Sequence, residues 1–234
     1  MRKLAVISSG TKGIGRATAE KFFFNGFDIV TCARSADDLL QLKEELEEKG
    51  EGEVFFRPTD MARKEEVLSF AAYVKGLNRP VEVLLNNTGL FLPGSIHTEP
   101  EGNLEKMIET NLYSAYHLTR ALVDDLKARK QGHIFTTGSI AGITAYPNGG
   151  SYSISKYALL GFTKCLREEL KEHGVRVTSI LPGATYTASW EGVDLPRERF
   201  MKAEDIAEAI YAAHSLSPQT VVEEIVLRPQ LGDI

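Results

Sequence analysis

Leu4-Ala5-Val6-Ile7-Ser8-Ser9-Gly10-Thr11-Lys12-Gly13-Ile14-Gly15 runs four apolar residues directly into a cluster of small ones. An unbroken apolar run of this length suits a strand covered on both faces, as in a buried parallel sheet. Helical spacing follows at once, from Ile14 to Phe24, and Asn25-Gly26 supplies its stop. Small residues let the backbone come close to a phosphate, and the helix start offers free N–H groups with a favourable dipole. Such a turn can also be a bare strand-to-helix connection. Its place after the first strand of an alternating chain favours a dinucleotide pyrophosphate against Ser8, Gly10, Thr11, Lys12, Gly13, Ile14 and Gly15.

The same alternation continues to the end of the chain. Phe27 to Cys32 reads as a second strand, and Ser35 is placed to cap a helix carrying Asp37 and Asp38 in its first turn, through Lys43–Lys49 to Gly50. Val54-Phe55-Phe56 is a third strand, followed by a helix from Lys64 to Gly76. Val81 to Leu85 is a fourth, closed by Asn86-Asn87-Thr88-Gly89. One long helix is expected over Leu104 to Ala128, then a fifth strand at Ile134-Phe135-Thr136. A helix opening at Tyr152 should end at His173 before Gly174, with Val175 to Leu181 as strand six. A loop, roughly 183–202, precedes a short helix from Ala203 to His214 and a last strand from Val221 to Leu227. This order implies one α/β domain over residues 1–234, a parallel sheet with helices on both faces. Ligands bind such sheets beyond the carboxyl ends of the strands. Ser8–Gly15, Arg34, Asp60, Asn86–Gly89, Ser139 and Pro182–Thr187 all fall at such ends.

Composition narrows the partners. With 234 residues, 25% charged and 43% hydrophobic, the chain has the usual balance of a soluble globular protein. A net charge of −5, with no stripe of Lys and Arg, argues against nucleic acid. Cys32 and Cys165 match no metal or redox spacing and sit in apolar contexts, so packed free thiols and a reducing, cytoplasmic setting are expected, with no metal. The basic Met1-Arg2-Lys3 is followed by an apolar run too short for a signal-peptide core, and no stretch reaches membrane-spanning length.

The chemistry is expected between Ser139 and Lys156. Ser139 leaves the buried strand His133–Gly138, and Tyr152 and Lys156 stand at i and i+4 on one helix face. A phenol titrates near pH ~10, and a neighbouring ammonium should lower it toward the working range. Ser139 offers a hydroxyl to an oxygen held beside Tyr152. Taken alone, the Tyr-Lys pair reads more readily as an ordinary amphipathic pair; its place in the alternating chain reverses this in favour of chemistry. For the adenosine ribose, a carboxylate at the end of strand two would favour NAD and a cation NADP. Strand two ends Cys32-Ala33-Arg34-Ser35, so Arg34 and Lys12 point to NADP.

Together these residues resemble the short-chain dehydrogenase/reductase family over essentially the whole chain. The resemblance rests on the glycine loop, Asp60, Asn86–Gly89, Asn111, Ser139, Tyr152, Lys156 and Pro182–Thr187. It implies a seven-stranded Rossmann sheet and hydride transfer between NADPH and a small-molecule carbonyl. It makes Tyr152 the general acid, and has Lys156 lower its pKa and hold the nicotinamide ribose. Ser139 would orient the substrate oxygen, and Asn111 would hold a water linking Lys156 to solvent. Asp60 would lie near the adenine, Asn87 near its ribose and Thr187 near the carboxamide, with Gly89, Pro182, Gly183 and Thr185 also against the cofactor. A homodimer or homotetramer is implied, packed through the long helix and the Tyr152 helix. Leu159, Leu160 and Phe162 would suit that interface or the subunit's own core. Two positions depart from the family pattern: Ser9 stands where the first glycine is usual, and Thr88 where alanine is.

A narrower similarity links the last third, Pro182 to Trp190 and Thr220 to Ile234, with bacterial sepiapterin reductases, implying a pterin side-chain ketone or diketone. Trp190 would either stack on a flat heterocycle or act as a lid for any substrate. Asp233 would pair with a guanidine-like edge or remain a solvated tail carboxylate. A 3-oxoacyl-thioester reductase, another alcohol dehydrogenase and a non-catalytic dinucleotide sensor are the alternatives.

Overall fold

Leu4 and Val6 of the first strand pack into one apolar cluster, while Ala5 and Ile7 pack into another on the opposite face. The strand therefore has no polar side, which places it at the centre of a covered sheet. The structure, a computed structural model, describes residues 2–187 and 194–234. Its strands are β1 (Lys3–Ser8), β2 (Phe27–Ala33), β3 (Val54–Pro58), β4 (Val81–Asn86), β5 (His133–Thr137), β6 (Arg176–Pro182) and β7 (Glu224–Leu227). They form one parallel sheet in the order 3-2-1-4-5-6-7. The order reverses between β1 and β4, so their carboxyl ends open a crevice there. This is the expected single-domain Rossmann fold.

The helices are α1 (Gly13–Phe23), α2 (Ala36–Lys49), α3 (Lys64–Gly76), α4 (Asn103–Ile108), α5 (Ser114–Arg129), α6 (Gly150–Leu170) and α7 (Ala203–Ser215). Phe70 and Val74 of α3 and Leu118 and Leu122 of α5 cover one face of the sheet. Phe22 and Phe23 of α1, Leu42 and Leu46 of α2, and Ile206 and Ile210 of α7 cover the other. Ser35 caps α2 as expected, its hydroxyl accepting from the Asp38 amide at 3.1 Å. Gly26 and Gly174 take the left-handed conformation that ends the helices before them (φ 90° and 67°).

Three expectations are corrected. The single helix Leu104–Ala128 is broken by a π-helical turn, Glu109–Tyr113, which inserts an extra residue and buries Asn111. The last strand starts at Glu224 rather than Val221, because the Thr178 hydroxyl takes the Val222 carbonyl that a ladder would need. Cys32 is buried but Cys165 is exposed, since its position on α6 faces away from the sheet. Leu159 and Leu160 are buried within the subunit, so the core uses them, while Phe162 packs against Tyr116 with ring centroids 5.9 Å apart.

At the opposite end of the strands from the crevice, His133 and His214 sit together, ring centroids 5.8 Å apart. Both are buried, and Nδ1 of each lacks a partner, although His133 Nε2 meets Thr178 Oγ1 at 2.8 Å. Burial lowers both, His133 well below 6.5 and His214 to about 4. The Arg176 guanidinium adds to each, and Glu82 opposes weakly at His214. Because the unfolded chain takes the proton first, this stability is complete above pH ~6.5 and is lost as pH falls toward the folded values. His214 alone accounts for about 2 to 3 kcal/mol. Thermal melting should drop steeply between pH 6.5 and 4, and His214→Phe should flatten that drop; an unchanged pH slope in the variant would exclude the histidines as its source.

Candidate active site

The crevice is built from the ends of β1, β2, β4, β5 and β6. After β1 the chain turns through Ser9, which takes φ 55°, and Gly13, at φ 54°, before α1 starts. α1 has no side-chain cap and no acid in its first turn, so no side chain competes for its first amides. A Cβ on Gly10 would stand 2.2 Å from Thr31 Oγ1, and one on Gly15 would stand 2.2 Å from the Ser9 carbonyl oxygen and 2.5 Å from Asn87 Nδ2. Glycine is therefore required at both. Thr187 lies directly over the same turn, its methyl 2.9 Å from where a Gly13 Cβ would be.

Asn86–Gly89 is tied to this turn. The Asn87 and Thr88 amides both donate to Ser8 Oγ, at 2.9 and 3.2 Å, and Asn87 Nδ2 donates to the Ser9 carbonyl at 3.3 Å. Thr137 at the end of β5 donates to Asn87 Oδ1 at 3.0 Å. Asn87 thus holds three strand ends in register. Asp60, after β3, organises its own turn: its carboxylate accepts from the Ala62 amide at 3.1 Å, ahead of α3, whose N-cap is Arg63 with no side-chain cap.

Ser139, Tyr152 and Lys156 converge next to this loop. The Ser139 oxygen accepts from the Ala141 amide at 3.1 Å, which fixes the hydroxyl and leaves its hydrogen for a neighbouring oxygen. The Tyr152 phenol lies near enough for the Ser139 hydroxyl to favour its ionised form. The Tyr152 ring meets Phe91 edge-on, centroids 4.9 Å apart, and Lys156 Nζ lies 5.7 Å from the Tyr152 ring centre. Nζ donates to the Thr137 carbonyl at 2.9 Å. A Cβ on Gly89 would stand 3.6 Å from Nζ and 3.8 Å from Asn111 Oδ1, so these groups share one small space.

The expected lowering of the phenol by Lys156 is overturned. Burial pushes Tyr152 up to about 12; the Ser139 hydroxyl works against that rise and Tyr146 adds to it. Lys156 is buried and its amine falls to about 8 for the same reason. An amine committed to the Thr137 carbonyl, 5.7 Å from the ring centre, does little to offset the burial of the phenol. Tyr152 consequently keeps its proton at neutral pH.

Asn111 is also committed. Its Oδ1 accepts from the Leu90 amide at 2.6 Å, and Nδ2 donates to the Leu90 carbonyl at 3.0 Å and Ser155 Oγ at 2.8 Å. The π turn turns this side chain inward, where it holds the loop after β4 against α6. Its side chain is thus filled by protein partners.

At the cofactor-selecting end, Arg34 is exposed at the end of β2 and forms no ion pair among the described residues. Lys12 does: its Nζ lies 3.1 Å from Asp38 Oδ2. Two free cations with no acid nearby were expected; α2 brings a carboxylate to one of them. Beyond β6, Thr185 is buried and its hydroxyl donates to the Gly183 carbonyl at 3.1 Å. The following loop doubles back, with the Tyr186 amide donating to the Met201 carbonyl at 2.9 Å. Trp190 lies outside the described residues. Asp233 is an exposed tail carboxylate, the second alternative for it, and is ion-paired with the exposed Arg228. The tail also packs on the loop, with Asp233 Oδ1 3.2 Å from where a Gly183 Cβ would be. Sequence reasoning missed Thr137, Phe91 and Tyr146 as neighbours of the site; hydroxyls and rings at strand ends carry no spacing signal of their own.

Against this geometry, a family model described as short chain dehydrogenase matches residues 3–197. A sepiapterin reductase from Chlorobaculum tepidum is 32% identical, covering 100% of this chain and 99% of its own. A 3-oxoacyl-[acyl-carrier-protein] reductase from Haemophilus influenzae is 28% identical over 89% of this chain and 88% of its own. Among solved structures, an alcohol dehydrogenase from the archaeon Thermococcus sibiricus, complexed with 5-hydroxy-NADP, superposes with a TM-score of 0.91 at 29% identity, covering 99% of this chain and 98% of that one.

Proposed function

Since the chain belongs to the short-chain dehydrogenase family, we propose that it is an NADPH-dependent carbonyl reductase acting on a small ketone or diketone of the sepiapterin kind. One observation carries the reading: Tyr152, with the Ser139 hydroxyl acting on its phenol, stands beside a buried Lys156 at the crevice where β1 and β4 part. The crevice fits a dinucleotide, with an α1 start free of side-chain caps and glycines where a Cβ would collide. Lys12, Gly13, Ile14 and Gly15 would hold the pyrophosphate, Arg34 the 2′-phosphate, and Lys156, Gly183 and Thr187 the nicotinamide end.

When bound, NADPH supplies the hydride. The residues of this chain do the rest. Ser139 donates its hydrogen to the carbonyl oxygen and sets it beside Tyr152. Tyr152, which stays protonated at neutral pH, donates its proton to that oxygen as negative charge grows on it. Lys156 has one hydrogen on the Thr137 carbonyl and two left for ribose hydroxyls. Asn111 clamps Leu90, which keeps the loop after β4 against α6. A water relay at Asn111 would have to use its main chain. Phe91 and Tyr146 give the mouth apolar walls suited to a flat or diketone substrate. Exposed Tyr113 and Tyr157, on the faces of the long helical segment and α6, support a homodimer or homotetramer. Among the described residues no helix is long and apolar enough to cross a membrane, and a cytoplasmic setting belongs to the same reading.

The test is NADPH oxidation with a vicinal diketone, with sepiapterin, and with a 3-oxoacyl thioester as third substrate. Turnover of the first two well above the thioester is the expected result. Preference for the thioester would overturn the substrate assignment, and tight NADPH binding with no turnover on any of them would make the protein a sensor.

A further inference from the structure

Ser9 is a left-handed residue that carries a Cβ, a conformation glycine adopts freely and other residues adopt only under constraint. Its surroundings supply the constraint. The Ser9 carbonyl accepts from Asn87 Nδ2, and its hydroxyl lies 2.8 Å from Thr88 Oγ1. Both oxygens of the residue are thereby engaged.

Ser8 Oγ donates to the Leu85 carbonyl at 3.4 Å and is approached by three donors, the Asn87 and Thr88 amides and Thr88 Oγ1 at 3.1 Å, one more than its two lone pairs. Either hydroxyl of the Ser9–Thr88 pair can therefore be the donor, and the pair joins the turn before α1 to the loop after β4.

Resting on the dinucleotide reading above, we infer that the Ser9–Thr88 hydroxyl pair is a lock that holds the phosphate loop in its binding shape, making both of them positioning residues for cofactor affinity. The strain of Ser9 and the hydroxyl of Thr88 belong together: a Cβ at position 9 is tolerable because position 88 offers its hydroxyl a partner. Neither side chain needs to touch the cofactor. The lock acts by keeping the Ser9 carbonyl turned toward Asn87 and Gly15, which leaves the α1 amides facing the crevice.

Four variants test this, read by the dissociation constant for NADPH and by melting temperature without nucleotide. Ser9→Ala keeps the Cβ and loses the hydroxyl, and should raise the constant about five- to tenfold and lower melting by about 2–4 °C. Ser9→Gly loses both and should stay within about twofold of the parent protein. Thr88→Val should match Ser9→Ala, and Thr88→Ser should restore the parent values. The double variant Ser9→Ala with Thr88→Val should be no more than about twofold worse than either single, because both remove one contact. For Thr88→Val, KM for NADPH should rise while kcat holds within about twofold. Equal behaviour of Ser9→Ala and Ser9→Gly, multiplying effects in the double variant, or lowered melting with unchanged NADPH affinity would each overturn the lock. A parent protein that binds no NADPH but shows the coupled melting shifts counts against the cofactor reading and for the lock.

Discussion

Tyr152→Phe should lower kcat by about 10³-fold while leaving NADPH affinity within about twofold. The ring is retained, so its edge-on contact with Phe91 survives, and with it the packing of the crevice wall. Only the oxygen is lost, and with it the proton that Tyr152 offers beside Ser139. Ser139→Ala should cost less, about 10²-fold, since it removes an orienting hydrogen bond and not the proton itself. The pH profile adds an independent check. Because burial holds the phenol at about 12, Tyr152 remains an acid throughout the neutral range and should set no limb there. Lys156 titrates at about 8, and it is charged below that value. kcat/KM for NADPH, which reports groups of the free protein, should therefore be level near neutrality and fall as pH rises through about 8. Near-normal reduction by Tyr152→Phe would remove this residue from the mechanism altogether.

The direction of those shifts is what the sequence could not supply. Spacing placed Tyr152 and Lys156 on one helix face, and the structure brings them together. Spacing carries no information about how deeply α6 lies against the sheet, and depth is what raises the phenol and lowers the amine. The sheet was legible because its central strand β1 is apolar on both faces over Leu4–Ile7. β7 was misjudged at its start because it is an edge strand whose residues alternate between exposed and half-buried, so burial does not mark its limits. The π turn at Glu109–Tyr113 was invisible for another reason: one extra residue in a helix shifts the apolar period by too little to be seen in so short a segment. Asp38 shows the same limit for charge. Its place in the first turn of α2 was evident, but its reach to Lys12 depends on how α2 docks beside α1.

That ion pair decides which cation matters for the cofactor. With Lys12 held 3.1 Å from Asp38 Oδ2, its charge is largely answered before any phosphate arrives. Arg34 has no such partner among the described residues, and it stands where the adenosine ribose of a bound dinucleotide would lie. A guanidinium on a phosphate makes charge-assisted bonds of ~1.5–3 kcal/mol, less where solvent screens them. Arg34→Ala should therefore weaken NADPH binding roughly tenfold to thirtyfold and leave NADH within about twofold. Lys12→Ala should have the smaller effect, and Asp38→Asn should tighten NADPH by freeing Lys12. Both cofactors should be titrated at two salt concentrations, since the Arg34 contribution should shrink as ionic strength rises. If Arg34→Ala weakened NADPH and NADH equally, the guanidinium would be supporting the loop and not reading the 2′-phosphate, and the preference for NADPH would have to come from elsewhere in the crevice.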